Sequence, residues 1–425
     1  MSSTNPLKDS DIRHVYLGTL ALGLAYGVAL SVIAVYLDER GFQKREIGNL
    51  AAAFAGGIVC LSIPAGALIR RFSAKALVTC AVAAYAVVTL AFPHVSNFYG
   101  IAGLRFIDGA ASVSIWVSCE TVLLARARPG QKALVTSLYA VFMALGYILG
   151  PLVSRGLATV LPLSAAFSVA GALALAVALY FLVFLSRHAE IGTDGRAEPD
   201  AAESVAAQLQ RADVDSSHEP EELGSLGVLW RIKTSCFATF AYGYFQASVV
   251  LFLPLFLMTD KHVSKADTIY VTACFALGMV LFTNPAGRIG DRFGHLITMR
   301  TLAVIGTVMI ASFAWLDSFP LMLVAVFVAG ATLASISPMS LALQGLVVPS
   351  KDYSRATAIY NAFYAAGMLI GPPISSALFE RLGGAPMLHH LAALWVGFIA
   401  FTLLFRKDDP AHQGERTAMV SVPRA

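Results

Sequence analysis

Apolar residues in this chain come in blocks about twenty long, one after another, separated by short breaks that are charged or rich in Gly and Pro. A helix of ~20 apolar residues crosses a ~30 Å hydrocarbon core. The blocks lie near 14–37, 47–69, 76–93, 98–124, 133–157, 163–185, 232–258, 267–287, 296–316, 320–347, 355–379 and 387–405. A soluble fold fails at once, because so many blocks lack polar relief. Only 13% of the 425 residues are charged, about half the share a soluble surface uses. The spacing therefore predicts an all-α membrane protein with twelve transmembrane helices.

Residues 187–229 break the pattern with ten acids, three arginines and several Gly, Pro and Ser, a composition that cannot build a core. The expected organisation is a cytoplasmic N-terminus at 1–13, a six-helix bundle at 14–186, a disordered cytoplasmic linker at 187–229, a second bundle at 230–406 and a cytoplasmic tail at 407–425. Counted over alternate loops, 22 Lys and Arg fall on the side holding the termini and 7 on the other. Positive loops stay inside, so both termini and the linker are expected in the cytoplasm. The first block is too long for a signal-peptide core and is expected to remain as a helix.

The two halves repeat one another. "TSLYAVFMALGYILGP" (136–151) aligns with "TAIYNAFYAAGMLIGP" (357–372) at an offset of 221. The same offset pairs Gly57 with Gly278, Pro64 with Pro285 and Gly109 with Gly330, and an offset of 216 pairs Tyr26 with Tyr242. Parallel six-helix repeats are the build of transporters whose site lies between the halves.

Other chemistries find no footing. The five cysteines lie in apolar blocks without C-x-x-C spacing, and the nine histidines form no ligand set, so neither a metal site nor an enzyme is expected. There is no Gly-Lys-Ser/Thr phosphate loop, which excludes ATP as the energy source. The net charge of +4 follows from basic inner loops and calls for no nucleic acid. No cofactor is implied.

One stretch asks for more than packing. "LRFIDGAA" (104–111) places Arg105 and Asp108 deep in the fourth block, about 12 and 16 Å from its start at 1.5 Å per residue. A lone ion there costs several kcal/mol, and an i,i+3 partner on the same face reduces that cost. The repeat offset puts Val326 and Ala329 at the equivalent positions, so the fold works without the charges. Two roles fit. Asp108 carries a proton while Arg105 tunes it, or Arg105 holds an anionic group of the substrate while Asp108 orients it.

These residues resemble the major facilitator superfamily (MFS). "GRIGDRFGH" (287–295) is similar to its loop motif between helices 8 and 9. The first-half counterpart, "GALIRRFSAK" (66–75), has Arg70 for the acid and Ser73 for the second glycine. "LRFIDGAA" resembles the fourth-helix motif of the family's antiporters, and "GYILGP" (146–151) the fifth-helix signature of its exporters. The resemblance implies two pseudo-symmetric bundles and a cavity lined by helices 1, 4, 7 and 10. Candidates there are Tyr26, Ser31, Ser112, Trp116, Tyr242, Gln246 and Ser335, with Asn361 and Tyr364 on helix 11. Such a mixture of aromatic faces and hydroxyls suits a small, partly apolar solute. Candidate gating residues are Gly146, Gly150 and Pro151, their mates Gly367, Gly371 and Pro372, and Asp291 with Arg292. Glu120 is expected to pair with Arg70 or Arg71.

The leading expectation is proton-coupled efflux of a small organic solute across a bacterial cytoplasmic membrane by rocker-switch alternation. An importer or facilitator of a small organic anion is the alternative. A non-transporting receptor or scaffold on the same fold is the reading from another class.

Overall fold

The computed structural model describes residues 9–127, 132–187, 224–348 and 352–406. The expected 187–229 linker and the 407–425 tail fall mainly or wholly outside these residues. The first half contains α1 Ser10–Glu39, α2 Lys44–Phe72, α3 Ala74–Ala91, α4 Phe98–Arg126, α5 Lys132–Ala158 and α6 Ser164–Phe184. The second contains α7 Ser225–Thr259, α8 Lys265–Phe293, α9 His295–Phe313, α10 Phe319–Val347, α11 Tyr353–Leu382 and α12 Gly384–Leu404. Among the described residues, eleven of the twelve are long and apolar enough to cross a bilayer. The twelfth, α2, runs uncharged from Ile47 to Ile69 beyond its charged first turn.

Helix ends depart from the apolar blocks for a physical reason. Hydropathy registers the middle of a span, whereas the helix runs on to its cap. Thus α1 begins at Ser10 because the Asp9 carboxylate accepts from the backbone N–H groups of Asp11 and Ile12 at 2.9 and 3.1 Å. At the start of α2, Gln43 and Glu46 form a capping box. Asn97 caps α4 through Gly100 at 2.6 Å. α7 begins seven residues ahead of the apolar block, inside the stretch expected as linker.

The repeat reappears as packing. In the first half α1 lies on α5 and α6, α2 on α4, and α3 on α4 and α6. In the second half α9 lies on α10 and α12, α7 meets α11 at Gly243 and Gly367, and α8 meets α10 at Gly278. The match extends to single atoms. A Cβ on Gly57 would stand 2.8 Å from the amide nitrogen of Ala110, and one on Gly278 2.8 Å from that of Ala331. Both glycines let two backbones approach where no side chain fits.

Close contacts define two compact units. One takes in α1–α6 together with Ala247–Ala276 and Pro372–Arg381; the other takes in α7 up to Gln246, Leu277–Gly371 and the chain from Leu382. Within the first unit, charged and small residues at the far end of α1 explain the extra segments, as described below.

Candidate functional site

Arg105 and Asp108 form an ion pair within one turn of α4. Their side chains are only 11% and 13% exposed. The guanidinium lies over the Phe54 ring of α2, 4.4 Å from its centre, a cation–π contact that strengthens on desolvation. The second carboxylate oxygen of Asp108 accepts from Ser112 at 3.4 Å. Ser112 in turn shares a 2.8 Å hydrogen bond with the hydroxyl of Tyr26 on α1. The Tyr26 ring packs against Tyr85 of α3 at 4.3 Å and stacks on Tyr147 of α5 at 6.3 Å. Five helices therefore converge on one charged pair, and α4 supplies both charges.

Sequence patterning placed Arg105, Asp108, Tyr26 and Ser112 as candidates, and the fold brings these four together. It missed Phe54, Tyr85 and Tyr147. An aromatic residue inside an apolar block looks like packing, and only proximity to a charge sets these three apart. Ser31 is buried but bonds back to the Val28 carbonyl at 3.1 Å. Trp116 is half-buried on α4.

In the second half, Tyr242 and Tyr364 stack with ring centres 6.2 Å apart. Tyr364 donates to Gln246 at 2.9 Å. Ser335 is spent on its own helix, donating to the Ala331 carbonyl at 2.6 Å. Asn361 is exposed. The second half thus offers an aromatic and amide cluster where the first offers a charged one.

The gating candidates divide into backbone contacts and charges. Gly146 and Gly150 face Gly23 and Gly27 where α5 crosses α1, and a Cβ on Gly150 would come 2.6 Å from the Val28 amide nitrogen. Gly367 meets Phe240 and Tyr244 of α7 in the same way. Pro151 lies at the first crossing, its Cδ 3.2 Å from where a Cβ on Gly27 would be. Gly371 is buried, and the Pro372 carbonyl faces Gly48 of α2.

At the α8–α9 link, Asp291 faces His295 at 3.2 Å and Arg292 lies over Phe293. Gly294 there has φ 96°, and Ser73, its mate at the α2–α3 link, has φ 84°. Arg71 lies over Phe72, and the Arg70 side chain falls outside the described residues. Glu120 is exposed and, among the described residues, has no ion-pair partner. Of the two expected partners of Glu120, Arg71 is not paired with it, and pairing with Arg70 falls outside the described residues. Arg126, one and a half turns on, instead binds Asp11 at 2.7 Å. Asp11, only 2% exposed, also accepts from the Ser186 backbone N–H at 3.0 Å.

Charges outside the candidate set act at the opposite end of α1. Arg155 of α5 binds Asp267 of α8 at 3.0 Å and lies over Tyr270 at 4.8 Å. Lys265 pairs with Glu39 at the end of α1. Lys44 lies over Phe379, and Gly48 leaves room for Ser376 and Pro372 of α11. All of these contacts lie within the first compact unit. In the sequence these charges read only as loop charge.

The sequence matches the Major Facilitator Superfamily over residues 15–233 and 235–422. An uncharacterised MFS-type transporter of Yersinia pestis (strain Pestoides F) is 23% identical over 396 residues, spanning 92% of this chain and 94% of its own. The uncharacterised MFS-type transporter YcaD of Escherichia coli matches to the same extent. Among solved structures, a bacterial homologue of the human lysosomal transporter Spinster, inward-facing and occupied, has a TM-score of 0.74 at 13% identity, covering 96% of this chain and 99% of its own. The nucleoside transporter NupG has a TM-score of 0.72 at 12% identity, covering 93% and 97%. The human organic anion transporter MFSD10 has 0.65 at 15%, covering 93% and 99%. At such identities the likeness is one of fold.

Proposed function

The chain belongs to the Major Facilitator Superfamily, and from that premise we propose a proton-coupled transporter that exports a small organic solute by rocking its two bundles about a central site. One observation carries this reading: the buried Arg105–Asp108 pair, whose repeat positions hold Val326 and Ala329. A charge pair that the fold does not need, placed deep in a span, is retained for work.

The work follows from the contacts. With Asp108 ionised, Arg105 is held to its own helix. A proton on Asp108 weakens that hold, and the guanidinium keeps its seat over Phe54 while its N–H groups turn to a solute. Return of the pair expels the solute or the proton, so both cannot leave by the same route at once. Tyr26 and Ser112 keep Asp108 in register. In the second unit, Tyr242, Tyr364 and Gln246 form an aromatic and polar cluster of their own. The loop charges support cytoplasmic termini in a bacterial cytoplasmic membrane.

Flux in inside-out vesicles tests this. A proton gradient should drive uptake by the wild type and not by Asp108→Asn; full gradient-driven flux in that variant removes Asp108 from coupling. A second reading has its own support. Arg105 makes its ion pair through one terminal nitrogen, Nη1, which leaves donors for a carboxylate. Gradient-independent flux of an organic anion, lost in Arg105→Ala, would favour a facilitator.

A further inference from the structure

Tyr26 and Tyr242 are repeat mates, yet their hydroxyls turn to different helices. Tyr26 bonds to Ser112 of α4 at 2.8 Å, whereas Tyr242 donates to the Met279 sulfur of α8 at 3.8 Å. The fifth helix of each half does not account for the difference. Tyr26 stacks on Tyr147 of α5 with ring centres 6.3 Å apart, and Tyr242 stacks on Tyr364 of α11 at 6.2 Å.

The halves differ instead where the third helix crosses the fourth. At the offset of 221, Tyr85 of α3 falls on Gly306 of α9, and Ser112 of α4 falls on Leu333 of α10. In the second half Leu333 fills the space that Gly306 leaves, its Cγ 2.5 Å from where a Cβ on Gly306 would stand. In the first half the large side chain is on α3 and the small one on α4. Tyr85, 2% exposed, brings its ring 4.3 Å from the Tyr26 ring, and Ser112 leaves room for the Tyr26 hydroxyl and binds it. An ionised carboxylate only accepts, so Ser112 spends its proton on Asp108 and takes the hydrogen bond that Tyr26 donates. The tyrosine common to both halves thus serves Asp108 only where the crossing is filled by Tyr85 and Ser112.

We propose that Tyr85 is a positioning residue for Asp108: its ring holds Tyr26 on Ser112, and through Ser112 on the carboxylate. The contact is ring on ring. Without a ring at position 85, Tyr26 turns away from α4, and Ser112 is free to bond a carbonyl of its own helix instead. The inference rests on Asp108 being the proton carrier.

A pH jump on the full chain in phosphatidylethanolamine–phosphatidylglycerol liposomes tests it without a substrate. Infrared difference bands of the Asp108 carboxyl and of Tyr26 are assigned by their loss in Asp108→Asn and Tyr26→Phe. The two should appear together in the wild type, because a proton on Asp108 removes the charge to which the Tyr26–Ser112 chain donates. Tyr85→Phe keeps the ring and should keep both bands. Tyr85→Leu and Tyr85→Met should keep the Asp108 band and lose that of Tyr26. Packing is read apart from this: Tyr85→Gly combined with Ser112→Leu copies the second-half crossing and should melt at least about 4 °C above Tyr85→Gly alone. A Tyr26 band undiminished in Tyr85→Leu and Tyr85→Met, or lost equally in Tyr85→Phe, would overturn Tyr85 as the positioning residue while leaving Asp108 as carrier. Absence of any Asp108 band in the wild type would overturn the carrier, and this inference with it.

Discussion

Ser73 offers a measurement of strain with its own internal control. It joins α2 to α3 at φ 84°, ψ 154°, a region that only glycine occupies at ease and that costs another residue about 1–3 kcal/mol. Its repeat mate, Gly294, joins α8 to α9 at φ 96°, ψ 134°. Ser73→Gly should relieve the strain. Against that gain stand the lost cap from Ser73 Oγ to the Ala76 N–H, at 3.3 Å, which glycine replaces at a cost of a few tenths of a kcal/mol. A more flexible unfolded chain costs a further ~0.4–1 kcal/mol. The balance is a stabilisation centred on about 1 kcal/mol, a rise of about 2–4 °C in thermal midpoint for a bundle of this size. Gly294→Ser should move the midpoint the other way, since it imports the strain. Tryptophan-fluorescence melting of the detergent-solubilised protein reads both. If Ser73→Gly leaves the midpoint unchanged or lowers it, or if both variants shift in the same direction, backbone strain at this link is refuted.

The other predictions concern packing and charge. Gly150→Ala puts a methyl 2.6 Å from the Val28 amide nitrogen, and the resulting separation of α1 and α5 should cost about 1–3 kcal/mol, seen as a lower melting point. Asp11→Ala removes a buried carboxylate that Arg126 and the Ser186 N–H both bind; its loss should lower the melting point, by the equivalent of at least ~1 kcal/mol of stability, and an unaltered midpoint would discount the pair. Arg155→Gln combined with Glu39→Gln removes two half-exposed pairs, each worth at most ~1 kcal/mol. Spin labels at Val160→Cys and His262→Cys should then show a longer-distance population, and an unchanged distance distribution would remove these contacts from any role in holding that end together.

The helices and the repeat were legible because both are written in hydropathy and in glycine and proline spacing, which depend on few tertiary details. Arg105 and Asp108 were legible because charge in an apolar block needs no structure to be conspicuous. Phe54, Tyr85 and Tyr147 were not, since their significance is a distance and their residue type is ordinary in a span. Arg155 and Asp267 are 112 positions apart and read separately as loop charge. The Glu120 pairing is open on one side, because the Arg70 side chain falls outside the described residues; on the other, Arg126 is drawn to Asp11 on α1 and Arg71 settles over its neighbour Phe72.

Because Arg105 and Asp108 share one turn of one helix, their neutralisation does not wait for tertiary structure. Set on separate helices, each would meet lipid alone during synthesis, at about 2.5–3.5 kcal/mol apiece at mid-depth. As built, the fourth span leaves the insertion machinery already salted out, its plus and minus cancelled before any neighbour docks. Removing either partner therefore burdens biogenesis as well as transport, and expression level has to be read beside flux when such variants are compared.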